Sequence, residues 1–529
     1  MTTPHHGHPR RWLILAVLAL ALFGISMDNT VLMVALPVLS NHLEADTSQL
    51  QWMVDAYTLV FASLLLMSGA LSDRFGRRRL LVTGMSLFGL GSALTPLVGS
   101  AEQLIALRSF MGLGASLAMP PTLSIIADIF DETERPKAIA IWSGTMALGI
   151  VAGPLLAGLL LEHFAWPSIF LVNVPVVAAG ILASLAIIPE SKAPGHIPLD
   201  PIGAVLSVVA LVALTYGIIE SPGYGWSDAR ILGSVSLAAV FGVVFVAWER
   251  RLEHPMLEIG LFRNARFGAS CLSVTLSFFA LNGALFILAL YLQQVRGLSP
   301  LETGYRFIAI AAGIVVASPI AARLTVLRGA KLTTSLGLAI TALGMGLAGT
   351  IGVTTGDGQI LAILFVAAGG IGMAMTPATD AIMGAVPPEK FGVGSAVNDA
   401  TREIGGALGI AILGSLWQGS YADRIAGAAA VLPPEAAGAV RGSFAGAAAA
   451  AAQLGGRPGE ALLDAARSAF VAAMDWTCLI GVAFVIGGLV VAAAFLPARA
   501  TPEAVSDGPE LPVPQSPRWP EDSMLNEPQ

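Results

Sequence analysis

Three ionisable residues stand inside stretches of chain that are otherwise free of charge: Asp28, Asp55 and Arg108. A charge in apolar surroundings costs about 2.5–3.5 kcal/mol even on the lower insertion scales, so such a residue is paired, functional or both. Asp28 lies past the middle of its apolar run. A carboxylate there can take up and release a proton, and a proton-driven carrier needs such a group exposed to each side in turn. It would serve equally well as a structural hydrogen-bond partner for Asn29 or a neighbouring helix. Arg108 needs an acid or backbone carbonyls to offset its guanidinium. A static ion pair and a coupling role both meet that need. Asp55 stands close to Trp52 and Tyr57 near one end of its run, a place for a cation site or for a wet vestibule.

A second group lies late in the chain. Asp399, Arg402 and Glu403 share one face of a helix, so Arg402 can neutralise one acid and leave the other. Asp399 alone would also suit a helix cap. Phe278, Asn282 and Phe286 recur along one run and could form an aromatic wall for lipophilic cations, although packing or lipid contact would use them as well. Gly149, Gly153, Pro154 and Gly158 remove bulk and one backbone donor from a single run, which suits a close-packed, bendable contact. Gly69, Asp73, Arg74, Gly76, Arg77 and Arg78 make a charged corner in which Gly76 permits a tight bend.

The elements that must position these residues are apolar helices. Of 529 residues 55% are hydrophobic and only 12% charged, against roughly 25% charged in soluble domains. A large soluble protein could not cover its surface with so few charges, whereas a lipid-facing one can. Runs able to cross a bilayer lie near 12–36, 51–71, 80–99, 104–126, 138–161, 168–188, 200–219, 229–249, 267–291, 302–323, 332–351, 359–382, 392–417 and 469–496. Lys and Arg collect on one side of them, from Arg10 and Arg11 through Arg74, Arg135, Arg250, Arg266, Arg328 and Lys390. By the positive-inside rule both termini are cytoplasmic. No cleavable leader is expected, because the first run is longer than a signal segment. Cys271 and Cys478 lie in apolar runs and imply no disulfide or metal site. Arg outnumbers Lys and Ala runs abound, which points to a GC-rich bacterial genome, and the expected location is a bacterial inner membrane.

The chain also repeats itself. Residues 71–79 have a worn counterpart at 323–331, and Gly112, Gly114 and Pro120 recur as Gly370, Gly372 and Pro377. These matches put two six-helix halves in register with two helices inserted between them, the plan of an alternating-access carrier. The expected divisions are a tail at 1–11, a first bundle at 12–188, inserted helices within 189–249, a linker at 250–266 and a second bundle at 267–496. The second bundle would carry a long outer loop at 418–468, and a disordered acidic tail would follow at 497–529.

The corner Gly69-Ala70-Leu71-Ser72-Asp73-Arg74-Phe75-Gly76-Arg77-Arg78-Arg79 resembles the loop 2–3 signature of the major facilitator superfamily. Asp28-Asn29-Thr30-Val31, leading to Ala35-Leu36-Pro37, is similar to the first-helix motif of its drug–proton antiporters. Leu104 to Gly114 resembles the fourth-helix motif, and Gly149, Gly153, Pro154 and Gly158 resemble the fifth-helix antiporter motif. With fourteen spans, the resemblance is to the quaternary-ammonium and multidrug exporter branch. It implies an all-α integral membrane fold, proton coupling at Asp28 and Arg108, gating at the Asp73 corner, and antiport rather than uptake. The chain's partners would be protons, lipid and hydrophobic cationic drugs, with no cofactor, metal or nucleic acid, and a monomer is expected, although the residues themselves do not fix the oligomeric state. Export of a lipid, siderophore or self-made antibiotic fits the same residues, and a passive channel or sensor fits them less well. No G-x-x-x-x-G-K-[ST] or H-E-x-x-H pattern points to an enzyme.

Overall fold

The computed structural model describes residues 9–131, 134–192, 199–253, 255–384 and 391–496. Among them the chain is helical with no strand: α1 (Arg11–His42), α2 (Thr47–Phe75), α3 (Arg77–Leu94), α4 (Ala101–Ile129), α5 (Arg135–His163), α6 (Ser168–Leu171), α7 (Asn173–Ile187), α8 (Pro201–Tyr224), α9 (Ala229–Glu249), α10 (Ala265–Leu290), α11 (Pro300–Arg328), α12 (Ala330–Ala348), α13 (Asp357–Gly384), α14 (Phe391–Ala429), α15 (Pro434–Gly442), α16 (Phe444–Leu454) and α17 (Gly456–Phe495). Twelve spans among the described residues are long and apolar enough to cross a membrane, α6 and α7 together forming one of them. The helices α5 and α14 are also long, at 29 and 39 residues, and pack within the same bundles. The protein is a multi-pass membrane protein. Both expected tails, 1–8 and 497–529, lie outside the described residues.

Two halves repeat one packing scheme. Helix α1 packs on α5 as α10 packs on α14, α2 on α4 as α11 on α13, and α3 on α7 as α12 on α17. The halves meet through α2 against α14 and through α5 against α11, a crosswise exchange that a two-fold axis between the halves requires. The repeated corner is visible in the backbone: Gly76 and Gly329 both take positive φ, 115° and 90°. At Gly76 a Cβ would lie 2.5 Å from Glu190 Oε1, so only glycine makes this turn.

The inserted pair α8–α9 lies against both halves, α8 touching α2 and α14. Two α2 donors, the Ser48 hydroxyl at 3.2 Å and the Trp52 indole at 3.1 Å, fasten it at Glu220. Helix α9 leans chiefly on α8, and most of its surface faces outward.

The segment 418–468 is not an irregular loop. Helix α14 continues to Ala429, α17 begins at Gly456, and α15 and α16 fold between them. Alanine has the highest helix propensity, so the Ala-rich sequence extends the helices beyond the apolar part that marks the spans. The cap is packed: Phe444, Ala447 and Ala451 are buried, and Phe444 meets Phe470 of α17 edge-on at 5.9 Å.

Candidate functional site

Asp28 on α1 and Arg108 on α4 form an ion pair with both side chains fully enclosed. The second Asp28 oxygen accepts from Asn173 Nδ2 on α7 at 2.9 Å. The Arg108 Nε donates to the Met53 carbonyl at 3.1 Å, and the guanidinium lies 4.2 Å from the Tyr57 ring centroid. Three elements besides α1 thus hold the pair, and Arg108 has both the acid and the carbonyl that a buried guanidinium requires. The network is not saturated: one Arg108 amino group, the Asn173 carbonyl oxygen and the Tyr57 hydroxyl lack partners.

Asp55 is the contrasting acid. It is 0% exposed, which excludes the vestibule placement, and neither carboxylate oxygen has a hydrogen-bond partner. An enclosed carboxylate without a partner needs a proton or a cation to neutralise it. Two turns of α2 around it are occupied, Gln51 donating to the Ile410 carbonyl of α14 at 2.8 Å and Tyr57 stacking under Arg108. Trp52 instead turns to α8, where it reaches Glu220 and lies 6.3 Å from Tyr216.

In the second half, Arg402 pairs with Asp399 at 3.4 Å and leaves Glu403 without a hydrogen bond or ion pair among the described residues. Arg402 also lies 5.3 Å over the Phe278 ring, so α10 and α14 are joined by a charge and an aromatic face. Asn282 lies against Gly406, and Phe286 lies against Gly414 with no exposure at all. The expected aromatic wall therefore faces α14 as a packed seam, with Phe278 and Asn282 only partly buried.

The glycine run of α5 links the acid site to the other half. A Cβ at Gly149 would lie 2.8 Å from Ser26 Cβ, and one at Gly153 would meet Thr30 and lie 2.9 Å from the Met27 carbonyl. These α1 residues flank Asp28. One turn on, Gly304 of α11 abuts the Pro154 carbonyl, and Gly158 abuts Leu301, with its Cβ position 2.5 Å from Leu301 Cα.

At the basic corner Asp73 pairs with Arg77 at 2.8 Å, and Arg77 also pairs with Asp128 of α4. Arg78 and Arg79 lie 3.7 and 3.5 Å from Glu190, while Arg74 lies 5.5 Å over Phe75. A Cβ at Gly69 would meet nothing within 4 Å. The corner is thus latched inside the first half. Sequence reasoning missed Asn173, Asp128 and Glu190, although each is a polar residue in or beside an apolar run.

Cross-half hydrogen bonds among the described residues cluster at the end away from this corner. Thr47 donates to Gly442 at 3.2 Å, Gln293 to Val34 at 2.7 Å, and Gln51 to Ile410. A cavity of about 520 Å³ near this end is lined by Pro37 and Asn41 of α1, by Gln293 and Gln294 just past the end of α10, and by Phe444 of α16, among others.

The profile of the Major Facilitator Superfamily matches residues 18–410. The chain belongs to this superfamily. It is 37% identical over 91% of its length to 95% of the multidrug efflux pump LfrA of Mycolicibacterium smegmatis. It is 31% identical over 97% of its length to 96% of the tetracenomycin C resistance and export protein of Streptomyces glaucescens. It is 33% identical over 87% of its length to 93% of the methyl viologen resistance protein SmvA of Salmonella typhimurium. The fold resembles a bacterial homologue of the human lysosomal transporter Spinster in an inward-facing, unoccupied conformation, with a TM-score of 0.66 at 18% identity covering 94% of this chain and all of that one. This facilitator is a transporter and not an enzyme.

Proposed function

We propose that this facilitator is a monomeric, fourteen-span, proton-coupled exporter of hydrophobic cationic drugs, set in a bacterial inner membrane with both termini in the cytoplasm. The basic corner then marks the cytoplasmic side by the positive-inside rule, and the cross-half bonds close the outer side. The division into two bundles and an inserted pair at 189–249 follows the same plan. The multidrug exporters among its relatives support the drug class.

The observation that carries the reading is the buried Asp28–Arg108 pair on the α1 turn that packs against α5. A proton arriving at Asp28 removes the charge that Arg108 neutralises. Arg108 then keeps the Met53 carbonyl and the faces of Tyr57 and Phe170, and α1 is freed from α4. Because Gly149 and Gly153 press on Ser26, Met27 and Thr30, a shift of that turn must move α5. Because Pro154 and Gly158 press on α11, it must also move the contact between halves. Asp55, lacking any partner, is the place where a cationic drug would stand in for the missing counter-charge. Coupling then needs only that proton and drug favour opposite states of the same equilibrium. Tyr57 follows Asp55 by two residues on α2 and touches Arg108 with its ring.

The test is ethidium retention in a host stripped of its main exporters, with wild type and Asp28→Asn at matched membrane levels. Proton-driven cation export requires lower retention with wild type, loss of that effect with a protonophore, and an inert variant. A second reading, export of a self-made antibiotic, is favoured by the tetracenomycin C relative. Wild type without effect on ethidium, in a source strain whose deletion alters its secreted metabolites, would select it.

A further inference from the structure

Two carboxyl groups meet at the basic end of the inserted hairpin with no cation beside them among the described residues. Asp200 caps α8, its Oδ1 accepting from the Gly203 N–H at 2.8 Å and from the Trp248 indole at 3.0 Å. Glu249, the last residue of α9, is 2% exposed, and its Oε2 accepts from the Leu257 N–H at 3.0 Å. The remaining oxygen of each acid, Asp200 Oδ2 and Glu249 Oε1, is enclosed and has no donor. Both face one point: a Cβ on Gly203 would collide with Asp200 Oδ2 and lie 2.7 Å from Glu249 Oε1. Only a glycine leaves room for them.

Among the described residues the surroundings supply dipoles but no counter-charge. Helix α8 offers the Gly203 N–H, α9 the Trp248 indole, and the following linker the N–H groups of Met256 and Leu257. Helix α2 presents Leu64 and Met67 to this end of α8, and α14 meets α8 at the other end, near Gly419 and Pro222. Arg250 and Arg251 follow Glu249 and are exposed, and neither acid has an ion pair among the described residues. Two carboxylates that turn enclosed, donor-free oxygens toward one point are held together best when they share a proton. A divalent ion would want about six oxygen ligands; here two oxygens are free and N–H groups surround them, so a proton fits and a metal does not.

We propose that Asp200 and Glu249 bind one proton between them, and that this proton fastens the α8–α9 hairpin to the linker leading into the second half. The site is separate from Asp28 and does not rest on the transport reading. As pH rises the proton leaves, the two facing anions repel, and the bond to Leu257 loosens. The fastening is therefore present at lower pH and lost on alkalinisation.

The test uses the full chain in lipid nanodiscs. Infrared difference spectra should show a carboxylic-acid band that vanishes on alkalinisation, is absent in both Asp200→Asn and Glu249→Gln, and persists in Asp55→Asn. Trypsin cleavage after Arg250 or Arg251 should rise with pH in wild type relative to Glu249→Gln, which keeps the acceptor for Leu257 without the charge. An unchanged band in both variants, or equal cleavage of wild type and Glu249→Gln at every pH, overturns the proposal. So does one Mn²⁺ bound per wild-type chain and lost in both variants, which would make the pair a metal site.

Discussion

The two halves share a packing scheme but not a chemistry. In the first half Asp28, Asp55 and Arg108 are completely enclosed. In the second half the Phe279 carbonyl faces Gly409 as the Met27 carbonyl faces Gly153, and Gly370 faces Gly337 as Gly114 faces Gly84, so α10 carries Ala280 in place of the acid of α1 and α13 carries Leu364 in place of the arginine of α4. The charges of the second half lie instead on α14, where Asp399 and Arg402 keep 15% and 19% side-chain exposure. The difference teaches a division of labour. The first half holds charge in a dry network that must be neutralised before it can move. The second half offers an aromatic and amide face against which it moves.

The sharpest way to break this comparison is Arg108→Ala. Leaving a buried acid without its counter-ion costs about 3–5 kcal/mol, so transport should vanish and thermal stability should drop; Asp28→Asn added to Arg108→Ala should restore stability without activity. A nearly normal melting curve for the single variant would make the first-half network dispensable. Next in size, Gly153→Val should abolish export while leaving membrane levels high enough to detect, because its side chain must collide with Thr30 and the Met27 carbonyl. Substrate-specific loss should follow Asp55→Asn: ethidium efflux falls by at least about tenfold, the scale of one lost charge contact near 1.4 kcal/mol, while an uncharged drug is still exported. The smallest effect belongs to Glu403→Gln, a change of ethidium Km with little change in maximal rate. A larger effect there than at Asp55 would move the cation site into the second half.

Much of this was legible in the sequence, for physical reasons. Apolar length marks helices, and a charge inside such a run cannot be accidental, so Asp28 and Arg108 stand out without any structure. The glycines of α5 signal close packing because no other residue lets backbones approach so nearly. Partners across helices were not legible, because they depend on how each helix is rotated. Asn173 looks like an ordinary polar residue until it is seen donating to Asp28, and Trp52 looks like a site residue until its indole is found on Glu220. The order of the 418–468 segment was not legible, because an alanine-rich stretch too short to span a membrane reads equally as loop or as short helix.

The most direct measurement is proton movement itself. Everted vesicles carrying the wild-type protein are acidified inside by respiration, and ethidium is then added while a pH-sensitive dye reports the lumen. Proton-coupled export predicts immediate release of protons with wild type and none with Asp28→Asn in vesicles acidified to the same extent. Uptake of ethidium by wild-type vesicles with no proton release, or equal release with Asp28→Asn, would contradict it.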